Sequence, residues 1–66
     1  MNLMEGLQKE IERNIEARAA YESIGPAGAW ALSNINAAIK EGQRCINEGD
    51  TVAMIAAYKE LQSTEL

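Results

Sequence analysis

A chain of 66 residues has room for one domain, and a core of that size rarely supplies more than about 3–5 kcal/mol. It carries ten Asp and Glu against six Lys and Arg, a net charge of −4, with one cysteine and no histidine. That composition excludes an intrachain disulfide and leaves a structural zinc site short of ligands. It also argues against DNA or RNA as partners, which need clustered positive charge, and against anchoring on anionic membranes.

The start of the chain, Met1 to Leu7, lacks the basic and apolar blocks of a signal peptide. No apolar run approaches the ~20 residues of a membrane span. With a lone thiol that suits a reducing compartment, a cytoplasmic location is the expectation. The first helix is predicted over Leu3 to Ile24. Asn2 can cap it, with Glu5 three residues on. Leu3, Met4, Leu7, Ile11 and Ile15 recur at steps of three and four, an apolar stripe. Lys9, Glu12, Arg13 and Glu16 are read as the solvated side. Past Ile15, Arg18 and Glu22 fall on the stripe, so the second half of this helix is expected to leave the core or meet another chain.

Gly25-Pro26 breaks the helix: glycine suits the position after a C-terminus, and proline opens the next helix more readily than it continues the last. Gly28 keeps the corner slim. The second helix is predicted over residues 27–48, with Leu32, Ile35, Ile39, Gly42 and Ile46 as a heptad-like seam. Ala27, Ala31, Ala38 and Cys45 flank it as a small-residue packing face, and Gly42 marks a close crossing. Cys45 is read as a buried small hydrophobe. Gly49 ends this helix, and Asp50 or Thr51 caps the third, predicted over residues 51–62. Met54, Ala57, Tyr58 and Leu61 share its core face. Val52, Ala53 and Ala56 make its first turns apolar nearly all round, so Val52, Met54, Ile55 and Ala56 are expected at an interface between copies. The end, Ser63 to Leu66, is expected to fray. The fold class is therefore all-α: a three-helix up-down-up array spanning residues 1–66, assembled as a homo-oligomer.

No set of residues makes an active site. General acid–base catalysis usually draws on histidine or on carboxylates gathered in a pocket. Asp50 is accounted for as a cap, and Cys45 has no base beside it. Ser23 to Gly28 resembles a phosphate cradle only loosely, without the lysine and the preceding strand. No metal or cofactor is called for. A non-enzymatic binding protein is the expectation: an oligomeric regulator or inhibitor acting on another protein.

The residues left for binding lie on the polar side of the second helix. Trp30, Asn34, Ala37, Glu41 and Arg44 are spaced 4-3-4-3, with Ser33, Asn36 and Lys40 bordering them. Two readings of Trp30 stand open: a neighbouring helix covers it, or it anchors a partner. Trp30 and Arg44 lie about 21 Å apart along one helix, but a two-fold axis near Ala37 would bring Trp30 of one copy to Arg44 of the other. That arrangement motivates an alternative function: a nucleotide-like anionic ligand held by Trp30, Lys40 and Arg44, with Tyr21 or Tyr58 stacking. A structural subunit of a larger assembly is the third alternative.

Overall fold

The computed structural model describes residues 2–64. α1 spans Leu3–Ile24, α2 Ala29–Glu48 and α3 Thr51–Gln62, with a single 3-10 turn, Gly25–Gly28, between the first two. The array is all-α, as expected. The helix plan also matches, except that residues 25–28 wind more tightly before α2 begins.

The ends form where the local chemistry puts them. The Asn2 side chain accepts from the Glu5 N–H at 2.9 Å, and the Asp50 side chain accepts from the Ala53 N–H at 3.1 Å, so both caps satisfy donors that an open first turn leaves unpaired. Gly49 takes the left-handed conformation (φ 67°) that turns α2 into α3. At the other corner, a Cβ on Gly28 would stand 2.6 Å from the Tyr21 carbonyl oxygen. The first two helices can close there only because that position has no side chain.

The three helices share one core: Leu7, Ile11 and Ala17 of α1; Ile35, Ala38, Ile39 and Cys45 of α2; Met54, Ala57 and Leu61 of α3. Gly42 is buried at the crossing, where a Cβ would come within 3.2 Å of both Ile11 Cδ1 and Leu61 Cδ1. Cys45 is fully buried, as expected.

α1 departs from the stripe read in its sequence. Ile15 is 39% exposed, whereas Asn14 is completely buried. The second half keeps Ala17 and half-buried Tyr21 against the core, while Ala19, Ala20 and Ile24 are exposed, so the expectation that it leaves the core holds for part of it. The reason for the departure is that α1 faces two helices, not one. Its α2 side is served by Leu7 and Ile11, and its α3 side by Gly6, Asn14 and Ala17, all buried.

Arg13 is corrected too. It does not face solvent but reaches α3, donating to the carbonyl oxygens of Leu61 at 2.8 Å and Thr64 at 2.9 Å. It is held on its own helix by Glu10 at 2.7 Å. Asn14 Nδ2 also donates to Leu61 O, at 3.0 Å. The last carbonyls of a helix lack intrahelical donors; here α1 supplies them, with a cation at the negative end of the α3 dipole. Asn14 Oδ1 is buried with no hydrogen-bond partner among the described residues. Of the end expected to fray, Ser63 donates its N–H back to Lys59 and Glu60 and Thr64 is held by Arg13. Glu65 and Leu66 lie outside the described residues.

Candidate functional site

α3 has 12 residues and α1 has 22, a difference of ten residues, or about 15 Å of helix. Because α3 runs beside the first half of α1 and ends level with Arg13 and Asn14, the far ends of α1 and α2 form a two-helix shelf beyond it. The α3-facing stripe of α1, Arg13–Ala17–Ala20–Ile24, continues onto this shelf at steps of four, three and four. So does the stripe of α2 that carries Cys45, Glu41, Ala38, Asn34 and Trp30. Ala17, Ala38 and Cys45 on these stripes are buried, whereas Glu41, Asn34 and Ala20 are exposed. Ile24 is 56% exposed and Trp30 82%.

Between the shelf and the end of α3 lies a cleft of about 340 Å³. Tyr21, Trp30 and Asn34 form its sides, with Ala31, Ile35 and Ala38 at its base. Glu60, Ser63 and Thr64 close it at the α3 end. A second cleft, of about 300 Å³, continues between α2 and α3 along Ala37, Ala38, Glu41, Ala57 and Glu60. The two share Ala38 and Glu60, so they read as one groove from Trp30 to Glu41, floored largely by alanine. The Glu60 carboxylate has no hydrogen-bond or ion-pair partner among the described residues. No Lys or Arg lines either cleft.

Of the binding residues named from the sequence, the fold brings Tyr21, Trp30 and Asn34 together. Asn34 is oriented by its own helix, with Nδ2 donating to the Trp30 carbonyl at 3.0 Å. Ser33, Lys40, Arg44 and Tyr58 are elsewhere. Tyr58 is half-buried against the core, where its hydroxyl accepts weakly from Gln62 Nε2 at 3.5 Å. Arg44 is enclosed by Glu41 and Glu48, with ion pairs to both and a further 2.9 Å hydrogen bond from Nε to Glu41. The hydrogen bond from Arg44 holds the Glu41 carboxyl below its ordinary pKa, and the two carboxylates raise that of Arg44. The cation at the centre of the anionic-ligand reading is therefore already neutralised. Cys45 is next to this cluster; burial first, then Glu41, pushes its thiol pKa up, which makes it inert as a nucleophile at neutral pH.

Among the residues expected at a subunit interface, Met54 is corrected: it is buried within the chain's own core. Val52, 79% exposed, and Ile55, 46% exposed, lie with Ala56 on the outer face of α3. Sequence reasoning missed Ala31, Glu60, Ser63 and Thr64 as parts of the cleft. The available signal was the difference in helix lengths, which says that α1 and α2 must outrun α3. Among the described residues no helix is long and apolar enough to cross a membrane, and no group of three metal-ligating side chains converges. The chain matches no protein-family model, no curated protein and no solved structure.

Proposed function

We propose that this chain is a non-enzymatic binding protein that regulates another protein by receiving one of its helices on the open shelf of α1 and α2. The observation that carries this reading is the 82% exposure of Trp30 at the mouth of a cleft whose base is the core residues Ile35 and Ala38. A helix laid in the groove would extend the three-helix packing past the end of α3, with its apolar anchors at helical spacing. The alanine floor lets it approach closely, and Trp30 is the residue type most often found to dominate such contacts. The test is co-purification from the source cell with the wild-type chain and with a Trp30→Ala, Ile24→Ser variant of unchanged helicity. The partner is expected to be retained at least about 30-fold less by the variant, the equivalent of one hot spot of ~2 kcal/mol. Equal retention would sink the reading.

Self-association is the second reading, favoured by Val52 and Ile55 on the outer face of α3. Light scattering across a concentration series tests it, and a monomer throughout removes it. The nucleotide reading has less support, because Arg44 is compensated by two carboxylates and Lys40 stands ten residues, about 15 Å, along the helix from Trp30.

A further inference from the structure

The groove has a definite electrostatic character. Among the described residues its one charged group without a side-chain partner is the Glu60 carboxylate, placed where the two clefts meet. Glu41 follows at the far end and belongs to a cluster in which two carboxylates face a single guanidinium. The chain as a whole carries −4, so the field at the groove attracts cations from a distance as well. A second copy of the chain is a poor occupant on these grounds. It brings the same net negative charge, and a two-fold arrangement of the shelf would set groove carboxylates against each other with no Lys or Arg lining either cleft to separate them.

Resting on the binding function proposed above, we infer that the partner segment is a cationic amphipathic helix. Its apolar side packs on Trp30 and the alanine floor, and a lysine or arginine on its flank reaches Glu60. The apolar contact supplies most of the affinity. The charge selects the partner and sets the orientation of the helix along the groove.

The experiment uses the full chain and two synthetic peptides of about 14 residues, long enough for ~21 Å of helix, both lacking tryptophan. One repeats leucine and lysine at amphipathic helical spacing; the other has glutamate in place of lysine. Trp30 is the only tryptophan of the chain, so its emission reports occupation of the shelf directly. The lysine peptide is expected to shift that emission to the blue and to bind at least about tenfold more tightly than the glutamate peptide. Glu60→Gln should weaken the lysine peptide about three- to tenfold, and Glu16→Gln, on the exposed side of α1, should leave it unchanged. Added salt should lower the affinity. If both peptides shift Trp30 with equal affinity, or if Glu60→Gln and Glu16→Gln behave alike, the charge assignment is overturned while the shelf remains a helix-binding site. If neither peptide moves the emission, the charge assignment and the proposed function fall together. A blue shift that grows with protein concentration alone, with a doubled mass by light scattering, would make the occupant a second copy and overturn the inference.

Discussion

The two halves of this molecule are built from the same two long helices but differ in what covers them. Around Leu7, Ile11, Ile39, Gly42 and Leu61 three helices meet, and the side chains are buried on every side. From Ala20 to Asn34 the hairpin of α1 and α2 is the only helical part among the described residues, and the large apolar side chains of Ile24 and Trp30 face outward. The lesson is that burial here depends on where α3 ends as well as on the pattern on α1 and α2. A helix stripe is an offer of surface; a neighbour has to be long enough to take it.

Probes placed in the two halves should separate them. The largest contrast is in reactivity. Cys45, wholly buried in the closed half, should alkylate about 150- to 5,000-fold more slowly in the native chain than in urea, in line with a global stability of ~3–5 kcal/mol; equal rates would show that the closed half is open. Its pH dependence has a definite sign. Because the thiol pKa is raised in the fold, its contribution to stability is complete below the ordinary thiol pKa of about 8.5 and is lost as the pH rises through the folded value.

Leu61→Ala, at the same centre, should cost about 3 kcal/mol, most of the stability available, and the variant should lose much of its far-ultraviolet helical signal at room temperature. Arg13→Ala removes the guanidinium that ties α1 to the end of α3. A loss of about 2 kcal/mol is expected in urea unfolding, with faster amide exchange in the last turn of α3; a neutral result would mean that solvent serves those carbonyls equally well. Gly28→Ala tests whether the open half is as tightly closed at its corner as the contact with Tyr21 implies, and should cost about 1–2 kcal/mol. Trp30→Ala should change stability by no more than about 0.5 kcal/mol, as read in urea unfolding. If instead it proves as damaging as Leu61→Ala, Trp30 is part of the fold and the distinction between the halves fails.

Much of this was legible in the residues before any coordinates. Asn2 and Asp50, Gly25-Pro26 and Gly49 place the ends of all three helices, because caps and breakers act through hydrogen bonds and torsions within a few residues. The seam of α2, with Ile35, Ile39 and Gly42, is legible for a related reason: a helix that packs on one broad side shows its periodicity plainly. α1 was misread in part because it serves two neighbours. Its α3-facing side is made of Gly6, Asn14 and Ala17, which look like interruptions of an apolar stripe, and Arg13 looks like any solvated charge.

The candidate site divides in the same way. Trp30, Asn34 and Tyr21 were singled out from spacing and residue type, but Arg44 was credited with a free charge that Glu41 and Glu48 in fact hold. Glu60 was invisible as a binding residue, since nothing in its local sequence says that the end of α3 meets the side of α2. By itself, then, the sequence determined three helices, their caps and their corners, all set by interactions between residues near in the chain. Only the tertiary structure decided which residues the third helix covers, that α1 caps α3 through Arg13 and Asn14, and that Trp30 stands open above an acidic groove. Those features depend on where one helix stops against another, and that position is set by packing between residues as much as 51 apart in sequence, such as Arg13 and Thr64.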